Sequence, residues 1–261
     1  MIEVTEVNYT IQKKQLLQNI NLCIQKNTFT VIMGANGAGK TTLLQLLAGS
    51  IVPSSGSITI NGIDIATLSP EVLAKKRAVL SQQYHLPFTL TVREVVMMGR
   101  YPFFQHQPLT IDVAIVNQVM QQMNVAHLAD TFYQHLSGGE AQKVQMCRVL
   151  AQIADASESQ KKILFLDEPV SQLDVKYQYQ LMQIAQSLTR QHVTVVAVLH
   201  DMNLALQFAD TLHFMKSGQL LYSLQQPADI DAALIKNIFD VHAIKLEQQN
   251  LDHPFIYFQP E

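Results

Sequence analysis

Residues 34–42, Gly-Ala-Asn-Gly-Ala-Gly-Lys-Thr-Thr, follow directly on the β-branched run Phe-Thr-Val-Ile-Met at 29–33 and lead into Leu-Leu-Gln-Leu-Leu-Ala-Gly at 43–49. A strand that ends in glycines and resumes as an apolar helix is half of a strand-turn-helix unit, which confines the chain to folds with helices packed on a sheet. The glycines permit backbone conformations in which successive N–H groups turn inward, and the following helix aims its positive end at the same point. Gly49 marks the expected close of that helix.

Gly34, Ala35, Asn36, Gly37, Ala38, Gly39, Lys40 and Thr41 match the pattern G-x-x-x-x-G-K-[ST], with Thr42 as the next helical residue. Such a loop cradles the phosphates of ATP or GTP. Lys40 is the expected counter-charge for the β and γ oxygens, and the Thr41 hydroxyl is an expected ligand of Mg²⁺. The loop alone does not distinguish a kinase, a GTPase, a DNA-repair ATPase or a transport motor.

Short β-branched runs and helical stretches alternate along the 261 residues, so the expected class is α/β with a mainly parallel sheet. Residues 163–168, Ile-Leu-Phe-Leu-Asp-Glu, and 193–200, Val-Thr-Val-Val-Ala-Val-Leu-His, suit strands buried on both faces. The turns Pro-Ser-Ser-Gly at 53–56 and Asn-Gly at 61–62 bracket an antiparallel element near the N-terminus. From about 83 to 154 the sequence turns helix-compatible. One domain is therefore expected, with a core over 1–82 and 155–220, an inserted helical subdomain over 83–154 and a C-terminal extension over 221–261. Residues 154–162 are polar enough for an exposed loop.

Composition excludes several classes. A net charge of −3 leaves no basic footprint for wrapping nucleic acid, so none is expected as a partner. Cys23 and Cys147 lie far apart, which argues against a disulfide framework or Cys-based metal site. Apolar runs fall well short of the roughly 20 residues that cross a bilayer, and the first residues lack a signal-peptide pattern. The expected location is the cytoplasm, with any membrane contact made through a partner.

Two further stretches carry chemistry. Asp167 and Glu168 end an apolar strand, where Asp167 can reach the shell of Mg²⁺ and Glu168 can orient or deprotonate water. Leu-Ser-Gly-Gly-Glu at 136–140 opens a helix, presenting Ser137, Gly138, Gly139 and Glu140 around a second cluster of free N–H groups suited to an anion.

Two phosphate cradles in one chain, the second reading Leu-Ser-Gly-Gly-Glu, resemble the ABC ATPases, in which the signature of one subunit closes over nucleotide held by another. The resemblance covers almost the whole chain. It implies that Tyr9 stacks on adenine, that Gln82 senses Mg²⁺ and γ-phosphate, that Asp174 in Ser-Gln-Leu-Asp lies at the subunit boundary, and that His200 grips γ-phosphate. Gln83, next to Gln82, leaves that assignment open by one residue. Ser81, Val170 and Gln172 depart from the family's common residues without removing a catalytic group. The implied catalytic set is Glu168, His200 and Gln82, with Thr41, Gln82 and Asp167 around the metal and ATP and Mg²⁺ as cofactors.

Within the family, residues 86–104 and 200–220 are similar to ATPases of importers for ferric siderophores, vitamin B12 and haem. Leu-Pro-Phe-Thr at 86–89 and the polar insertion at 154–162 most resemble the haem importers. This implies a homodimer of ATPase subunits, peripheral on the cytoplasmic face of the inner membrane. It would dock on a permease dimer and, indirectly, a periplasmic or surface substrate-binding protein. Siderophore or cobalamin uptake is the alternative, and a soluble ATP-driven switch a more distant one. The 9 histidines are not expected to bind haem. Met97, Arg100, Tyr101 and Phe103 either meet the permease or pack inside the helical lobe.

Overall fold

The computed structural model describes residues 1–82, 88–155, 157, 159–247 and 253–259. Strands β1 (Ile2–Ile11) and β2 (Lys14–Ile24) form a hairpin, and β3 (Phe29–Gly34) runs into the glycine loop and α1 (Lys40–Leu47). Strands β4 (Ser55–Ile60) and β5 (Ile63–Asp64) turn on Asn61-Gly62, and β1, β2, β4 and β5 make one antiparallel sheet in the order β2-β1-β4-β5. Helix α2 (Pro70–Lys76), capped by Ser69, leads to β6 (Arg77–Leu80).

The helical lobe holds α3 (Val92–Met97), α4 (Thr110–Gln122) and α5 (Gly138–Ile153), with 3-10 turns between them. The chain then returns through β7 (Lys162–Asp167), α6 (Val175–Thr189), β8 (Val193–Val198), α7 (Met202–Phe208), β9 (Thr211–Lys216) and β10 (Gln219–Leu224). It closes with α8 (Ala232–Phe239) and a ribbon of β11 (His242–Leu246) and β12 (Phe255–Gln259).

The second sheet has the order β10-β9-β3-β8-β7-β6, parallel except for the antiparallel edge strand β10. Strands β3, β7 and β8 are buried at every residue, as their continuous apolar runs require. Because β10 completes this sheet, the core continues through Leu224, past the boundary expected at 220.

One core cluster fills the space between this sheet and the helices of the lobe and C-terminal half. The other lies between the two sheets, and α1 is its centre. Leu43, Leu44, Leu46 and Leu47 are all buried, so α1 is apolar on nearly every side. A helix patterned this way must be enclosed, and each such leucine contributes roughly 2 kcal/mol on leaving water.

The loop expected at 154–162 ends in a buried ionic cluster. Lys162, 3% exposed, donates to the Gln152 carbonyl and pairs with Asp155. Asp155 also meets Arg100, whose guanidinium binds Asp112 at 2.8 Å and the Ala151 carbonyl at 2.9 Å. The Arg100 guanidinium and the Lys162 ammonium both lie over the Phe103 ring, at 4.0 and 4.5 Å from its centroid. Arg100 is thus an internal residue of the lobe, Phe103 is packed on it, and Met97 sits against the core. Of the four residues that either meet a permease or pack within the lobe, only Tyr101 is largely exposed.

Buried Arg100, Asp112 and Lys162, with the half-exposed Asp155, must stay matched, since removing one partner strands a buried charge in low dielectric. Asp112→Ala should therefore cost about 3 kcal/mol, read as a lower urea midpoint for unfolding; an unchanged midpoint would show that Asp155 alone satisfies Arg100.

Candidate nucleotide site

The strand order places β3, β8 and β7 side by side, so the loop after Gly34, the acids at the end of β7 and His200 after β8 meet at one edge of the sheet. Gly34 has φ of 151°, and a Cβ there would lie 2.2 Å from the Met215 carbonyl oxygen, so only glycine lets the loop leave the sheet beside β9. Gly39 precedes α1 in the left-handed region with φ of 98°. Its missing Cβ leaves room for Leu17 of β2.

Lys40 is 6% exposed and donates to the Gly34 and Ala35 carbonyls at 2.9 and 3.0 Å. Its ammonium is thereby held in the curl of the loop. Burial lowers its pKa, and the nearby Glu168 and Asp167 partly oppose that shift. The Thr41 hydroxyl donates to Asp167 Oδ1 at 3.1 Å. Asp167 is itself buried, and desolvation raises its carboxyl above the ordinary range despite the Thr41 bond.

The next residue, Glu168, has φ of 49°, a left-handed conformation rare for a side chain with a Cβ. Its N–H still donates to Val198 at 3.2 Å, so the backbone turns while tied to β8. The turn carries its carboxylate over the loop. Gln82 Nε2 donates to Oε2 at 2.7 Å, and His200 Nε2 is hydrogen-bonded to Oε1 at 2.6 Å. One carboxylate is thus held at both oxygens by groups from two other strand ends.

These residues line a cavity of about 640 Å³ together with Asn36, Gly37, Gly39, Lys40, Thr41 and Thr42. Lys14 and Leu16 also line it, and the sequence alone does not single them out. They reach it because the turn between β9 and β10 joins the start of β2 to the loop, Gln18 N–H donating to the Gly218 carbonyl at 2.8 Å and Gly218 N–H to the Ala38 carbonyl at 3.1 Å.

Other expected site residues fall elsewhere. Tyr9 pairs with Leu17 across the hairpin and packs half-buried against the inter-sheet core, and it does not line this cavity. Ser137 caps α5 in a reciprocal box, accepting from Glu140 N–H while its own N–H and hydroxyl donate to Glu140 Oε2 at 2.9 and 2.6 Å. Those bonds lower the Glu140 pKa. Asp174 caps α6 by accepting from Tyr177 N–H at 3.1 Å. The turn at 137–140 touches the turn at 171–174, since a Cβ on Gly138 would lie 2.9 Å from Gln172 Oε1. Ser137, Gly138, Gly139, Glu140 and Asp174 line no part of their own chain's cavity. Gln83, the other candidate for the glutamine, lies outside the described residues, whereas Gln82 is the one bonded to Glu168.

The donor set fits Mg²⁺ with nucleotide. Among the described residues no cluster of three or more His, Cys, Asp or Glu could enclose a metal by itself. What stands beside the loop is one hydroxyl and one carboxylate, both hard oxygen donors. That suits a small cation which keeps several waters and takes other oxygens from phosphate.

The family described as ABC transporter matches residues 17–171, more than half of the chain. The chain belongs to the ABC transporter family. The Hemin import ATP-binding protein HmuV of Rhizobium meliloti is 40% identical over 221 residues, covering 84% of this chain and 84% of that protein. The protein of the same name from Methylobacillus flagellatus is 35% identical over 257 residues, 98% of this chain and 95% of that one. Among solved structures, a dimeric ATP-binding cassette in a post-hydrolysis state with ADP and Pi has a TM-score of 0.77 at 26% identity, covering 87% of this chain and 99% of that one. A metal-chelate type ABC transporter in an inward-facing conformation reaches 0.80 over 100% of this chain and 96% of its own, at 24% identity, and so shares the fold. No helix among the described residues of this ABC protein is long and apolar enough to cross a membrane.

The buried charges of this ABC site oppose folding. A carboxyl whose folded pKa is raised binds an extra proton in the folded state, so stability falls as pH rises from its ordinary value through the raised one. At neutral pH that cost is fully present. Asp167→Asn should therefore stabilise the nucleotide-free protein by about 1 kcal/mol while weakening Mg²⁺-dependent ATP binding. Thermal unfolding at neutral pH checks the first effect and titration with and without Mg²⁺ the second; a lower melting temperature would mean that the charge is compensated.

Proposed function

We propose that this chain is the ATP-hydrolysing subunit of an ABC importer and that the cargo of the assembled importer is haem. The observation that carries the first part is the placement of Glu168, held at one oxygen by Gln82 and at the other by His200 above the loop that contains Lys40. What supports the cargo is the set of relatives named for hemin import, of which the two described above match 84% and 98% of the chain.

Bound ATP with Mg²⁺ supplies a γ-phosphorus open to attack by water and triphosphate oxygens that gather negative charge. Lys40 leaves the loop carbonyls for those oxygens, lending its charge where it develops. Thr41 and Asp167 would hold the cation, Thr41 through its hydroxyl. Glu168 takes the proton of the attacking water while Gln82 and His200 keep its carboxylate in place. As the water oxygen bonds to γ-phosphorus, the bond to the bridging oxygen of the β-phosphate breaks, ADP leaves, and His200 stays beside the phosphate that is formed. Tyr9 belongs to the adenine end of this reading, beside Lys14 and Leu16.

Ser137, Gly138, Gly139, Glu140 and Asp174 do not line their own chain's cavity, which supports a second copy supplying them to complete it. Their N-terminal helix dipole and free N–H groups meet phosphate across that interface. Two copies would work against a separate permease dimer on the cytoplasmic face of the membrane, fed by a binding protein that never touches this subunit.

Glu168→Gln removes the proton acceptor and keeps the shape. It should bind ATP, lose about 10³-fold in hydrolysis and accumulate as a nucleotide-bound dimer; phosphate release at the wild-type rate would take Glu168 out of the reaction. For the cargo, hydrolysis is measured in proteoliposomes with the co-purifying permease and a loaded binding protein. Stimulation by the haem-loaded form alone supports import of haem, and stimulation by a ferric siderophore or cobalamin instead leaves the motor standing and removes haem.

A further inference from the structure

The hydrolytic reading uses His200 and leaves the residues that follow it, Asp201-Met202-Asn203, without a task. Helix α7 starts there. Its cap is Asp201, whose Oδ1 accepts from Leu204 N–H at 3.0 Å. In the same first turn, Asn203 reaches the far end of the chain. Ile256 N–H donates to Asn203 Oδ1 at 2.7 Å, and Asn203 Nδ2 donates to the Ile256 carbonyl at 3.1 Å.

Paired donation and acceptance at one residue is what a neighbouring strand would offer to β12. Asn203 thus stands in as a third strand for a ribbon that has only two, paired from His242 with Gln259 to Leu246 with Phe255. A two-stranded ribbon has little stability of its own. On its inner side Ala243 and Ile256 join the core, while Ile244, Leu246, Phe255 and Tyr257 are exposed on the other. Its β11 strand is tied to the body by Lys245, which donates to the Ala228 carbonyl at 2.8 Å, and by His242 beside Lys236 at 3.0 Å, whereas β12 is held by that thin inner face and the Asn203 amide.

The same amide governs the start of α7 and, three residues earlier, His200. The His200 side chain is 45% exposed, and among the described residues its imidazole is hydrogen-bonded to Glu168 alone. Little packing holds the ring, so its aim at Glu168 depends on where the backbone at the head of α7 is set. We propose that Asn203 is a positioning residue for His200, and that the C-terminal ribbon braces the head of α7 through it. This rests on His200 taking part in hydrolysis as proposed above.

The test uses the full chain, with MgATP as probe, comparing wild type with Asn203→Ala and Asn203→Asp. Aspartate keeps the acceptor for Ile256 N–H but sets a second oxygen against the Ile256 carbonyl, so it tests the clamp even if the alanine variant folds poorly. Asn203→Ala should lower kcat about tenfold, with ATP affinity held within roughly twofold and Asn203→Asp between the two. The His200 imidazole nitrogen resonances should move away from their Glu168-bonded positions in step with kcat. An unchanged or raised kcat overturns the proposal, as does a fall in kcat matched by an equal loss of ATP affinity, which a merely structural residue would produce. Wild-type protein that releases no phosphate from MgATP would instead overturn the hydrolytic reading itself.

Discussion

Enclosure of α1 between two sheets is the constraint from which the rest of the molecule follows. Its four leucines face an antiparallel sheet on one side and β3, β7 and β8 on the other, so neither sheet can shift without exposing them. The N-terminus of α1 is thereby pinned at the sheet edge where the loop curls around Lys40. A phosphate cradle needs N–H groups that hold their direction without ligand, and a helix wedged on all sides provides that direction.

Around this fixed point the site is assembled under strain. Asp167 keeps a buried carboxylate beside Thr41, Lys40 keeps a buried ammonium on backbone carbonyls, and Glu168 leaves β7 through a left-handed turn. Each feature costs stability, and the continuous burial of β3, β7 and β8 offsets it. The charged cluster of Arg100, Asp112, Asp155 and Lys162 at the opposite end of β7 is arranged differently, with every charge matched. Buried charge left uncompensated is concentrated where a ligand's own charge can complete it.

Much of this was legible in the order of residues. The strand-loop-helix at 29–49, the apolar runs that became β7 and β8, the Asn61-Gly62 turn and the helical lobe all follow from local periodicity and turn chemistry, which act over a few neighbours. Gln82 and His200, which meet at Glu168, were singled out only through family resemblance, because a lone glutamine or histidine carries no local signal. Lys14 and Leu16 were not legible at all, since they reach the cavity by the pairing of β2 beside the loop. Arg100 read as equally suited to surface or interior until its partners, up to 55 residues away in the chain, appeared around it.

By itself the sequence determined the class of fold and the inventory of the site: a glycine loop with Lys40 and Thr41, two acids closing a strand, and a second capped helix at Ser137. Those are local properties, written in spacing, capping and side-chain chemistry. Tertiary structure alone decided that Glu168 is held by Gln82 and His200 at once, that Ser137 and Asp174 do not line the cavity of Lys40, and that Asn203 carries β12. Each joins residues distant in the chain, and sheet order with long-range packing, rather than local propensity, sets which distant residues meet.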